Sequence, residues 1–144
     1  MATYNKIADW VENLAEVVDA DNDEFMLALS NTAPGSESTP PTGDGDGVLA
    51  NVSEISYTNL SSRVLTLASS VQSGGTYTID FEDITLTASG GSVGPFRYVY
   101  IYDNTPTSPA DPLACYLDYG SSITLEDTET LDVVFNASGL FTVA

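Results

Sequence analysis

Between residues 4 and 18 the apolar side chains Ile7, Trp10, Val11, Leu14, Val17 and Val18 recur at the spacing of one α-helical face. Asp9, Glu12, Asn13 and Glu16 occupy the opposite face. The pattern predicts an amphipathic helix over 4–18 that stops in the polar run Asp19-Ala20-Asp21-Asn22-Asp23-Glu24. Acids are poorly placed there, because a helix C-terminus favours cations. The run therefore serves some other end, or solvent simply tolerates it.

Downstream the period changes from helical to two. Residues 25–29 read as a first strand, and 31–47, rich in Pro, Gly, Ser and Asp, as a long flexible loop. A short helical turn is expected within 48–55. Alternation then marks strands near 65–68, 76–82 and 84–88, with a one-residue slip at Glu82-Asp83 that signals a bulge or tight bend. Further strands are expected at 96–103, 113–118, 122–125, 130–136 and 140–143, set apart by turn signals such as Ser89-Gly90-Gly91 and Asn104-Thr105-Pro106. Many short strands after one helix predict a mainly β fold. The expected form is an antiparallel β-sandwich or jelly-roll-like barrel with one N-terminal amphipathic α-helix. At 144 residues this is one domain, with the helix in 1–20, the loop in 31–47 and the β-sandwich body in 57–144.

In the 96–102 strand Phe96, Tyr98, Tyr100 and Tyr102 fall on one face, and Arg97, Val99 and Ile101 on the other. A central strand buried on both sides explains this. So does a tyrosine face that meets another subunit, since tyrosine is enriched at interfaces. Trp10, Leu14, Tyr98, Tyr100 and Tyr102 are accordingly the candidate interface residues.

Charge narrows the partners. The chain has 21 acidic and 3 basic residues and no histidine, for a net charge of −18. Nucleic-acid affinity rests on Lys and Arg neutralising phosphates, so no nucleic-acid partner is expected. Anionic lipid is disfavoured for the same reason. No 18-residue apolar run is present to span a membrane, and the N-terminus lacks the pattern of a signal peptide. The Asn-x-Ser triplets at Asn51, Asn59 and Asn136 are then chance occurrences in a Ser/Asn-rich chain. Without histidine the commonest general base and zinc ligand is missing.

Cys115 is the single cysteine, in an apolar run, and reads as a small buried hydrophobe. Asp19, Asp21 and Asp23 alternate like the start of a calcium loop. The glycine and bidentate glutamate that an EF-hand needs at its sixth and twelfth positions are Glu24 and Ser30 here. Only a looser Ca²⁺ site remains open for these three acids. Asp44 and Asp46, in a Gly-Asp repeat, make a weaker candidate still. Glu82-Asp83 and Glu126-Asp127-Thr128-Glu129 offer carboxylate pairs of the kind glycoside hydrolysis uses, but adjacent strand residues point to opposite faces. No enzyme and no cofactor is expected.

Three stretches carry a resemblance: LSNTAP (29–34), the run from Phe81 through TASGGSVGPFRY (87–98), and DYGSSITL (118–125). With the N-terminal helix they resemble, over nearly the whole chain, a family of small virion proteins of tailed bacteriophages. Members of that family are less acidic and have a shorter loop, so residues 35–47 read as an insertion. The resemblance implies a structural protein, foremost a capsid decoration (cement) protein. It would be bound to the major capsid protein and self-associated, with a homotrimer as the expected form. A host-recognition β-sandwich on the tail or a fibre, binding carbohydrate, is the alternative. Packed DNA inside a capsid would repel so acidic a protein, which places it on the outer surface, the expected location, or on the tail.

Overall fold

The structure, a computed structural model, describes residues 2–144. It is mainly β, with antiparallel sheets in a sandwich-like arrangement and one short helix. Strands β1 (Thr3–Lys6), β2 (Phe25–Ser30), β6 (Val93–Asp103) and β7 (Leu113–Leu125) form a sheet in the order β1-β7-β6-β2. Strands β3 (Leu67–Ser73), β4 (Thr76–Phe81) and β9 (Phe141–Val143) form a second sheet, and β5 (Ile84–Thr87) pairs with β8 (Thr130–Val133). Helix α1 is Trp10–Glu16.

The helix is shorter than the periodicity predicts, because residues 3–6 are recruited as a strand along β7, from Thr3↔Asp118 to Lys6↔Cys115. A ladder that satisfies backbone groups outweighs a weak helical preference at Thr3, Tyr4 and Asn5. The body also begins earlier than residue 57, since β1 and β2 both belong to the four-stranded sheet. Residues 113–118 and 122–125 form one strand, β7, but its register breaks between them. Phe96 pairs with Ile123 and Tyr98 with Asp118, so two steps on β6 meet five on β7.

The break separates Phe96 from the tyrosines. Phe96 joins Val99 and Ile101 in the main core, together with Trp10, Phe25, Leu27, Ile79 and Leu86. Tyr98, Tyr100 and Tyr102 face the other way, into a second core with Ile7, Ala28, Val52 and Leu113. Both faces of β6 are therefore buried. At Glu82-Asp83 the chain leaves one sheet for another, and Asp83 Oδ1 accepts the Phe135 N–H at 2.9 Å. The slip lets Ile79, Phe81, Leu86 and Ala88 all reach the same core on either side of the bend.

Segment 31–47 has the irregular backbone expected of it, but it folds back on the chain. Pro34 and Pro41 are buried. Asp9 accepts the N–H groups of Gly45 and Gly47 at 3.0 and 2.8 Å. Glu37 Oε1 accepts the Ser53 N–H at 2.9 Å, which fixes the segment beside the tyrosine face.

The edge of β2 is sealed by residues 54–65, through Leu27 N–H to Arg63 O at 2.9 Å and Ile55 N–H to Leu29 O at 2.9 Å. Tyr57 Oη accepts the Leu29 N–H at 2.9 Å, and the Arg63 guanidinium lies 3.6 Å from the Tyr57 ring centroid. Such sealing removes a strand edge that would otherwise recruit other chains.

Gly139 turns the chain into β9 with φ +97°. A Cβ there would lie 2.8 Å from Ile79 O and 2.5 Å from Thr78 Cγ2. The carbonyl cannot yield, because it accepts the Leu140 N–H at 2.8 Å. Gly139→Ala is expected to lower stability by about 2–3 kcal/mol through left-handed strain and this clash. Urea denaturation checks it, and an unchanged midpoint would mean that β9 is not held as described.

Candidate functional site

The surface feature with the most chemistry to offer is apolar. Between α1 and the β4/β9 side of the second sheet lies a groove of about 880 Å³, walled by Trp10, Val11, Leu14, Tyr77, Phe141 and Val143. Val18, Ala20, Asp19 and Asp21 continue one wall, and Lys6 contributes a cation. The helical stripe builds it: Trp10 turns fully inward, Leu14 is half-buried, and Val11 is left 58% exposed. Trp10 meets Phe25 and Phe141 edge-on, with ring centroids 6.1 and 5.6 Å apart. A second groove of about 760 Å³ is lined by Tyr4, Val99, Leu117, Tyr119, Val134 and Phe135, beside the edge strand β1. Val134 is 68% exposed, the most open of the large apolar side chains among the described residues.

The five candidate interface residues do not form one surface. Trp10 and Leu14 share the first groove. Tyr98, Tyr100 and Tyr102 are covered by the chain itself: Tyr100 is wholly buried, and Val52 and Leu49 pack in the same cluster. An interface at the tyrosine face is thus replaced by an internal core. The reason is that the 34–53 stretch supplies the cover, which periodicity in β6 cannot foretell.

Tyr100 Oη is buried without a hydrogen-bond partner, and burial raises the phenol above its ordinary range. An unsatisfied buried hydroxyl destabilises, so Tyr100→Phe is expected to be neutral or to stabilise by up to about 1 kcal/mol. Thermal denaturation tests this, and a loss above about 1 kcal/mol would show that the hydroxyl has a partner in solution.

The acidic run is a turn that consumes its own carboxylates. Asp23 Oδ2 accepts the Asp19 N–H at 2.7 Å, and Asp19 Oδ2 accepts from Asn22 Nδ2 at 2.9 Å. Asp21 is exposed, and no three carboxylate, cysteine or histidine side chains among the described residues converge as a metal-ligand set. The looser calcium site at Asp19, Asp21 and Asp23 is therefore not formed.

The other carboxylate clusters also cap turns. Asp127 Oδ1 accepts the Gly90 N–H at 2.8 Å, and Glu129 Oε2 accepts the Glu126 N–H at 2.9 Å. Cys115 is fully buried, and burial pushes its thiol up to about 12, far from a reactive thiolate. Arg97 makes a two-pronged ion pair with Asp118, at 2.7 and 2.9 Å, and these hydrogen bonds hold the carboxyl below its usual range.

One acid was not foreseen from sequence. Asp103, at the end of β6, has no accessible surface; Oδ1 accepts the Thr105 N–H at 3.0 Å and Oδ2 has no partner. In the sequence Asp103 reads as a turn residue before Asn104-Thr105-Pro106, and nothing local announces that it is enclosed.

No helix among the described residues is long and apolar enough to cross a membrane. Compared with known families, curated proteins and solved structures, the chain matches no family, no curated protein and no solved structure. What the fold and surface define is a mainly β protein with two open apolar grooves.

Proposed function

We propose that this protein is a structural component of a tailed-phage virion, bound to the outer face of the capsid as a decoration (cement) protein. The observation that carries the reading is the contrast between the two open apolar grooves and a chain of net charge −18. Acidity of that degree keeps the body soluble and discourages promiscuous contact. Grooves lined by Trp10, Leu14, Phe141 and Tyr4 offer apolar area for burial against a partner.

The resemblance of the LSNTAP, TASGGSVGPFRY and DYGSSITL stretches to small virion proteins supplies the setting. The proposed partner is the major capsid protein, with self-association as a homotrimer. A closed ring of grooves would add avidity without new kinds of contact. Stable association on this scale buries roughly 800 Å² per partner. DNA packed inside the shell would repel the acidic body, which favours the outside.

Particles stripped of the protein and then reloaded test the reading. Reloading should restore hundreds of copies per particle and raise the temperature of genome release. Val11→Asp should bind at least tenfold more weakly, while its stability stays within about 0.5 kcal/mol, as exposed substitutions do. Unchanged release after complete stripping would remove the cementing role. A handful of copies on the tail would favour a host-recognition module instead.

A further inference from the structure

We propose that the open edge of β1 accepts an extended strand from a partner protein, apolar at alternate positions along its middle and basic at both ends. The four-stranded sheet has two edges, and only one is sealed. Residues 54–65 cover β2, while no strand among the described residues pairs with the outer side of β1. Antiparallel ladders alternate bonded and non-bonded residue pairs. Ile7 N–H donates to Ala114 O at 3.1 Å, so Asn5 and Thr3, two and four residues back, also bond to β7. The backbone N–H and C=O of Tyr4 and Lys6 therefore point away from the sheet. An added strand would pair with those two residues, and main-chain pairing at a sheet edge is a recurrent mode of peptide recognition.

The grooves supply what main-chain pairing lacks, which is selectivity for side chains. Tyr4 pairs with Leu117 and Leu117 with Val99, and all three line the second groove. Lys6, two residues on and so on the same face of the sheet, lines the first. Side chains of the added strand opposite Tyr4 and Lys6 share that face, so one enters each groove. Val11 and Val143 in the first groove, with Tyr4, Tyr119 and Val134 in the second, are five of the seven large apolar side chains left exposed among the described residues. Uncovered apolar surface is thus gathered beside this edge.

Charge identifies the occupant. Residues 2–6 and 133–144, which border the grooves, carry no acidic side chain, in a chain with 21 acids. Acids return in each groove, and so toward each end of the edge: Asp19 and Asp21 in the first, Asp132 in the second. A segment with an uncharged apolar middle and Lys or Arg at either end matches that distribution. The net charge of −18 also draws such a segment from further off. A second copy cannot supply it, because Lys6, Arg63 and Arg97 are isolated cations and no stretch of this chain is basic at both ends. Lys6 is the one charge on the edge itself, and a lysine there discourages indiscriminate pairing. That the strand belongs to a capsid protein rests on the function proposed above; the capacity of β1 to accept one does not.

The probe is the capped peptide Lys-Lys-Val-Thr-Val-Thr-Val-Lys-Lys, titrated calorimetrically into the isolated protein in about 50 mM NaCl. It should bind at least tenfold more tightly than the same peptide with Glu for Lys, and about threefold more weakly in 500 mM NaCl. Amide exchange should slow about tenfold at Tyr4 and Lys6 and stay unchanged at Thr3 and Asn5, which are bonded already. Lys6→Pro removes an outward N–H and leaves the ladder to β7 intact, so it should bind about tenfold more weakly. Lys6→Gln keeps that N–H and loses a repelling charge, so it should bind more tightly than wild type. Absence of binding, undiminished binding by Lys6→Pro, equal losses in the two variants or protection elsewhere than β1 overturns the proposal. So does a chain that self-associates with the Tyr4 and Lys6 amides protected before peptide is added, which would give the edge to a second copy. Should Lys6→Pro fail to fold, the exchange pattern in wild type decides. Reloading of stripped particles is read separately. Peptide binding without particle binding counts against the capsid reading alone, and particle binding without peptide binding against the strand site alone.

Discussion

Replacing Trp10 by alanine is expected to lower the unfolding free energy by about 3–5 kcal/mol, the range for buried aromatic truncations. Trp10 is 2% exposed and touches elements of both sheets, with Phe25 on β2 and Phe141 on β9. Each edge-on pair adds about 0.5–1.5 kcal/mol beyond the area it buries. The helix has only seven residues, too few to persist without tertiary packing. Removing the indole therefore detaches α1 as well as opening a cavity, and that cavity would merge with the groove.

Trp10→Phe should lose less than half as much. It keeps a ring between Phe25 and Phe141 and discards Nε1, which is buried without a hydrogen-bond partner. Chemical denaturation of the three proteins measures the series. A loss below about 1 kcal/mol for the alanine variant would mean that the helix does not hold the sheets together, and the groove would lose its fixed wall.

The same residue shows what period and composition can reveal. A helical stripe with Trp10 on it was legible because apolar spacing reports the local partner surface. That residues 3–6 leave the helix was not, because the competing partner is β7, more than a hundred residues away. Strand β6 was legible as a strand from its β-branched and aromatic run. Alternation also puts its tyrosines on the face opposite Val99 and Ile101. Whether that face meets another chain or this one depends on where residues 34–53 lie, and their Pro/Gly-rich sequence has no period to read.

The grooves follow the same logic. Val11 and Leu14 were visible in the helical stripe, whereas Phe141 and Val143 reach the site only through the β4–β9 pairing. Asp103 was the least legible of all. Its meaning comes from enclosure by a turn eighty residues earlier, not from its neighbours in sequence.

Asp103→Asn is expected to raise stability at pH 8 by about 2 kcal/mol and to flatten the dependence of stability on pH between about 4 and 7. The carboxyl titrates near 3.8 in the unfolded chain and at about 7 in the folded one. Between those values the folded protein keeps a proton that the unfolded chain has released. Because stability falls with pH wherever the native state binds more protons, the contribution of Asp103 is full below about pH 4. It is lost as pH rises through about 7.

A rise of that size sets a ceiling of about 4 kcal/mol on the lost stability, and local relaxation around the ionised carboxylate returns part of it. Asparagine imitates the protonated acid in size and stays neutral at every pH. General repulsion among the remaining acids also weakens the protein as they ionise, but it acts on both proteins alike. The difference between the two curves therefore isolates Asp103. Asp118 works with the opposite sign and at lower pH, because Arg97 holds its carboxyl below the usual range. Urea midpoints from pH 4 to 8 for wild type and variant would settle the matter. Curves that run parallel across that span would show that Asp103 is ionised in the folded state throughout, and that its enclosure is met by some other means.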